Sequence, residues 1–198
     1  MEQIFVCLGQ QPIAVRATVD DVPATPYTYP MDIVANELLA SWDRQSQILL
    51  NTLGLVTTDL LDAKPSEDGG TIAEQFSHIH GCRKFWVSKV APGREVGIDD
   101  LEEKVEGEWI TEKDLDIIRL QLVASSAAVR AAVADALEAG TTQFGPYSHP
   151  VQFLQHMLWH EGYHYALVAL ALRLAGHEPT QAWEEANVWG LWRDSKSV

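Results

Sequence analysis

Phe153-Leu154-Gln155-His156-Met157-Leu158-Trp159-His160-Glu161-Gly162-Tyr163-His164-Tyr165-Ala166-Leu167 carries an imidazole at every fourth position, His156, His160 and His164. Residues four apart on an α-helix lie about 40° from each other around the axis, one turn above the next. The rings therefore form a column along one face, and the apolar neighbours mark that face as otherwise buried. Pro146 and Pro150 bracket the start of this helix, which the pattern places at Val151 to Ala175 with Gly176 ending it.

Three more helices precede it. From Met31, Ile33, Val34, Leu38, Trp42, Leu49 and Leu53 recur at three- and four-residue steps until Gly54, and Thr57 to Leu61 adds a turn. Residues 63–70 read as a loop. Thr71-Ile72-Ala73-Glu74 is a capping box that opens a second helix, which ends before Pro92-Gly93. Residues 91–110 are acidic and loop-like. Thr111-Glu112-Lys113-Asp114 opens an alanine-rich third helix that runs through Leu137 and stops at Gly140.

With no convincing central strand, this reads as an all-α, up-down four-helix bundle, its mostly short connections favouring antiparallel neighbours. Residues 1–30 form a non-helical extension packed on or swapped between bundles. Within it, Ile4 to Leu8 and Ile13 to Val15 read as short strands or extended arms. Residues 31–198 are the bundle with its tail, where Trp183, Trp189 and Trp192 suggest packing on the body.

The 198 residues are long enough for one self-sufficient core, and 46% hydrophobic with 21% charged content is ordinary for a globular chain. The net charge of −14, without a Lys/Arg cluster, argues against nucleic acid and against an anionic membrane surface. No apolar run approaches the ~20 residues of a membrane span. Cys7 and Cys82 could form one disulfide, but their spacing suggests no framework. With no signal peptide at Met1-Glu2-Gln3, cytoplasmic residence is expected.

A single histidine on an apolar face is ordinarily a core residue with one satisfied hydrogen bond. Three at four-residue spacing differ, because burying them unpartnered costs about 1–3 kcal/mol each. A cation removes that cost for the ligating nitrogens. His78 in the second helix offers another imidazole, and two helices that bring these groups together make a divalent-metal site. Met157 and Trp159 read as core. Glu161, about 100° from His160, either orients an imidazole or is solvated. His80 faces about 200° from His78 and reads as surface, while His149 and His177 flank helix ends.

His160-Glu161-Gly162-Tyr163-His164 also spells the HExxH of zinc peptidases. Leu167 and Leu170 stand where that motif's longer form continues, leaving Glu178, Glu184 or Glu185 as third ligand. No strand for docking a peptide is evident upstream.

With His78 followed eight residues later by Trp86, the His156 to His164 column, Arg173-Leu174-Ala175-Gly176 and the tail Trp189-Gly190-Leu191-Trp192-Arg193, the chain resembles the DinB-like (YfiT-like) superfamily over about Met31 to Trp192. The resemblance implies a bundle in which His78, His160 and His164 bind one divalent ion, nickel or zinc, with positions left open. It also implies a homodimer, and a transferase or isomerase acting with a low-molecular-weight thiol such as bacillithiol or mycothiol. Tyr165-Ala166-Leu167 stand where that family often has a basic residue and Gly, and the long N-terminal lead is unusual. His156 could replace a ligand, line the pocket or carry protons.

The expected chemistry is a thiolate attacking an electrophilic small-molecule substrate, with Glu161, His156 or Tyr163 moving protons. A metal-binding module without turnover and a metal-hydroxide hydrolase are the rivals.

Overall fold

The computed structural model describes residues 31–193. The expected strands or arms at Ile4 to Leu8 and Ile13 to Val15, and the packing of residues 1–30, lie outside the described residues.

Four long helices build the body: α1 (Met31–Leu53), α2 (Ile72–Val90), α3 (Leu115–Glu138) and α4 (Pro150–Leu174). A two-stranded hairpin, β1 (Glu102–Val105) and β2 (Glu108–Thr111), interrupts the link from α2 to α3. A short α5 (Gln181–Asn187) and a 3-10 turn (Trp189–Trp192) complete it.

Local chemistry sets the helix ends. The Thr71 hydroxyl accepts from the Glu74 amide at 3.2 Å, and the Glu74 carboxylate accepts from the Thr71 amide at 2.6 Å, completing the capping box. The third helix starts later than the sequence suggests. Thr111 closes β2, and Asp114 is the cap, accepting from Asp116 and Ile117. At α4, Pro150 takes the first helical position, where its missing N–H is no loss, and His149 caps through Nδ1. Gly140 and Gly176, both at positive φ, end α3 and α4. The residue after each donates back to the third residue from the helix end, Thr141 to Ala136 and His177 to Leu172.

The hairpin corrects the loop expected over residues 91–110. All side chains of β1 are exposed and β2 is nearly so, so no apolar alternation announces it. Its turn, Glu106-Gly107, has positive φ at both residues, which matches the right-handed twist of the strands.

The body holds two apolar clusters. One joins Leu49, Leu53, Ile72, Phe76, Ile118, Leu122, Val168 and Leu172; the other joins Trp42, Val87, Val129, Val133, Phe153 and Met157. Chain direction follows from this sharing. Helices α1 and α4 pass from the second cluster to the first, whereas α2 and α3 pass from the first to the second. The bundle is therefore up-down-down-up, with residues 91–114 running back along its length, rather than a simple up-down array. A link this long can connect parallel neighbours.

A polar layer separates the clusters. Fully buried Arg83 and Glu161 form a two-pronged ion pair, Nε to Oε1 at 2.6 Å and a terminal guanidinium nitrogen to Oε2 at 2.9 Å. Arg83 also donates to the Leu122 carbonyl at 2.8 Å and stacks on Trp42. The Trp42 indole N–H in turn donates to the Ser126 carbonyl at 3.1 Å.

Helix α3 is long and apolar enough to cross a membrane by length and composition, although its sequence shows no unbroken apolar run. Its apolar face belongs to both clusters, and Arg130 on its outside pairs with Asp43 of α1. The tail packs through buried Val188 and through Asn51, which donates to the Asn187 carbonyl, while Trp189 and Trp192 remain about half exposed.

Arg83→Met leaves the Glu161 carboxylate buried without its partner and should lower unfolding stability by about 3–5 kcal/mol. Replacing both residues with methionine should recover most of that loss. Urea denaturation checks both, and a single variant as stable as wild type contradicts the buried pair.

Candidate metal centre

Helices α2 and α4 run antiparallel side by side. Gln75 meets His164, Arg83 meets Glu161 and Trp86 meets His156, so one index rises as the other falls. The groove between them collects His78 from α2 with His160 and His164 from α4. Ring centroids lie 5.2 Å apart for His78 and His160, 4.6 Å for His78 and His164, and 4.5 Å for His160 and His164. His78 is exposed, and the other two are half-buried.

Nε2 of His78 and Nε2 of His160 are 3.3 Å apart. Two imidazole nitrogens bound to one tetrahedral cation at about 2.0–2.1 Å stand about 3.3 Å from each other. The separation thus fits a shared ion. Burial first, and then the neighbouring imidazoles, pull both His160 and His164 down to about 4, so both rings are neutral near pH 7. Neutral nitrogen is the form that ligates a metal.

Gln75 orients His164. Its amide nitrogen donates to the Gly70 carbonyl at 3.2 Å, which turns Oε1 toward His164 Nδ1 at 2.7 Å. Nδ1–H therefore donates to Oε1, and Nε2 keeps its lone pair for a cation. His160 Nδ1 is buried without a hydrogen-bond partner, so no group behind the ring fixes its orientation as Gln75 does for His164.

Of the candidate proton carriers, Tyr163 lies at the rim, about half exposed, with its ring edge-on to His164. His156 bonds through Nδ1 to the Tyr147 hydroxyl at 2.8 Å and meets the edge of Trp86. Glu161 is neither solvated nor turned to an imidazole. Burial pushes its carboxyl up, Arg83 pulls it back, and both oxygens are taken by Arg83. No HExxH base is presented to the groove.

His80, expected at the surface, is fully buried, with Nδ1 3.1 Å from the Gln121 carbonyl and Nε2 2.7 Å from that of Asp99. His80 does lie on the side of α2 opposite His78, but that side faces inward. Because His78 faces the open groove, the opposite face of α2 is the core.

Beside the imidazoles opens a cavity of about 400 Å³, lined by Glu74, Gln75, His78, Glu102, Trp109, Thr111 and His164. That volume suits a small molecule. The profile of the DinB family matches residues 31–191. The chain belongs to the DinB family. Searches of curated proteins and of solved structures return no match.

In this DinB member the sequence reading missed three groups. Cys82 Sγ lies 3.4 Å from His78 Nε2, and the donor atoms of His78, Cys82 and His160 all lie within 4.8 Å of one another. Cys82 stands four residues after His78, the same spacing that singled out the column on α4. Gln75 and the hairpin wall left no comparable signal.

In metal-free protein, the unfolded chain binds protons at His160 and His164 near pH 6.5, whereas the folded chain does so only near 4. Stability should therefore fall as pH drops from 6.5 toward 4. Denaturant midpoints at pH 7 and pH 5 should drop further for wild type than for a His160→Gln/His164→Gln variant. Equal drops contradict this assignment.

Proposed function

We propose that this protein is a divalent-metal-dependent enzyme whose ligands are His78, His160 and His164, with a thiol-dependent transfer as its reaction and the cytoplasm as its compartment. The convergence of three imidazoles from two helices beside a small-molecule cavity carries the reading. Zinc and nickel both suit an all-imidazole donor set.

A cation bound there supplies Lewis acidity, which lowers the pKa of a thiol or water. The rest falls to the chain. Gln75 holds His164 in the tautomer that presents Nε2. His78 links the groove to the cavity, and Trp109, Thr111 and Glu102 of the hairpin wall the far side. The Tyr147 hydroxyl and His156 form a hydrogen-bonded pair that can pass a proton, and Tyr163 offers a second phenol at the rim.

The cavity also narrows the substrate. Two carboxylates, Glu74 and Glu102, line it, and among the described residues no lysine or arginine does. Glu74 is committed to the helix cap, leaving Glu102 as the freer charge. Such a wall disfavours anionic reactants and favours neutral or cationic ones.

A homodimer is part of this proposal. Helix α4 turns Trp159, Tyr163, Leu170 and Leu174 outward, each at least 40% exposed, along one apolar stripe. A second copy covers such a stripe with an identical one.

Untagged protein purified without added metal should carry roughly one divalent ion per chain, and His78→Ala should lose it while keeping its helical circular dichroism. Metal-loaded protein should conjugate cysteamine to an electrophile faster than it conjugates a thiol bearing carboxylates. Metal-free purified protein that also refuses added zinc and nickel defeats the proposal. Metal without any thiol transfer leaves a binding module. Leu170→Lys/Leu174→Lys should sediment as a monomer where wild type sediments as a dimer, and a monomeric wild type refutes the dimer.

A further inference from the structure

The groove pairs two helical repeats of donors, His78 and Cys82 on α2 facing His160 and His164 on α4, each pair four residues apart. We propose that Cys82 binds the same cation as a thiolate, so that the centre is built from three imidazoles and one sulfur. This rests on the metal-site reading above and extends its ligand set.

The donor-atom distances match His78, Cys82 and His160 as three members of that set, and the His164 ring lies 4.5 Å from that of His160. A cation bonding sulfur at about 2.3 Å and nitrogen at about 2.0–2.1 Å, at tetrahedral angles, holds the two about 3.5 Å apart. Cys82 Sγ and His78 Nε2 are 3.4 Å apart. His160 closes the triangle, since its donor atom and those of His78 and Cys82 are mutually within 4.8 Å. Among the described residues Cys82 is a free, half-buried thiol with no cysteine partner for its sulfur. Without metal, the same pair is a thiol hydrogen bond to imidazole. On metal binding the S–H bond breaks, the sulfur keeps the electron pair for the cation, and the proton leaves to solvent. Nothing is oxidised or reduced.

Position along the groove keeps this compatible with turnover. On α2, Gln75 lies about one turn before His78, on the cavity side, and Cys82 lies one turn after it. The cavity is lined by His78 and His164, while Cys82 and His160 are not part of its wall. The sulfur therefore approaches from the end away from the cavity, leaving the cavity end for a small molecule.

A thiolate also changes which ion the site prefers. Three imidazoles alone accept zinc, nickel, copper or iron, whereas one soft sulfur shifts the preference toward zinc and copper(I).

Cobalt(II) tests the assignment in full-length, metal-free protein carrying Cys7→Ser, which leaves Cys82 as the one thiol of the chain. Cobalt should give visible ligand-field bands together with a strong near-ultraviolet band from thiolate-to-cobalt charge transfer. Adding Cys82→Ser should abolish the ultraviolet band, keep weaker visible bands, and raise the cobalt Kd at least about ten-fold; loss of an orienting partner weakens binding by a similar factor, so the ultraviolet band is what marks the sulfur as a ligand. Independently, saturating zinc should protect Cys82 of the Cys7→Ser protein from alkylation by iodoacetamide. Visible bands without the ultraviolet band, or alkylation indifferent to zinc, overturn the role of Cys82 and leave the three-imidazole site standing. No cobalt binding at all overturns both.

Discussion

The Arg83 guanidinium clasping the Glu161 carboxylate inside the bundle sets what the groove can display. At about 100° per residue, Cys82, Gln75 and His78 lie roughly 80–140° behind Arg83 around α2. His160 and His164 lie roughly 60–100° behind Glu161 around α4. On antiparallel neighbours, equal offsets of the same sense bring both columns to one side of the pair. Rotating either helix enough to scatter the imidazoles would pull a buried charge off its partner, which is among the costlier changes a core can suffer. The ion pair is thus the phase lock of the site, although neither residue touches a prospective ligand of the groove through its charged end.

This also explains which parts of the architecture were legible in the sequence. The capping box at Thr71 and Glu74 and the glycines at 140 and 176 are local signals, because each satisfies backbone groups within a few residues. Helix existence and the histidine column follow from such information alone. Chain direction does not. The up-down-down-up order depends on where residues 91–114 travel, and a mostly exposed hairpin gives no periodicity to read. Even Trp109, the bulkiest residue of that hairpin, is 63% exposed.

The site was partly legible for the same reason. His78, His160 and His164 share the groove because four-residue spacing places residues on one helical face. Applied to imidazoles alone, however, that rule passed over Cys82. Glu161 was misplaced because its fate depends on a partner 78 positions away. His80 failed differently: its place about 200° from His78 argued for the surface, but two backbone carbonyls, of Asp99 and Gln121, await it in the interior and tie the segment before β1 to α3. Polarity at a core position is informative only when its partners are known.

A groove between helices, rather than the bundle axis, imposes a compromise on metal chemistry. Burial deep enough to keep His160 and His164 neutral also desolvates the cation they would hold, and an exposed His78 relieves that cost by leaving one side in contact with water. The acidic balance of the chain works in the same direction, since a net charge of −14 draws cations toward the surface without binding any of them. Retention must then come from donor geometry, and selectivity from donor softness. The hairpin adds a polar wall on the side of Gln75, while Trp159 and Tyr163 stack into an aromatic rim along α4. One edge of the groove is therefore lined mainly by polar side chains beside a cavity, and the other by exposed aromatic and aliphatic ones.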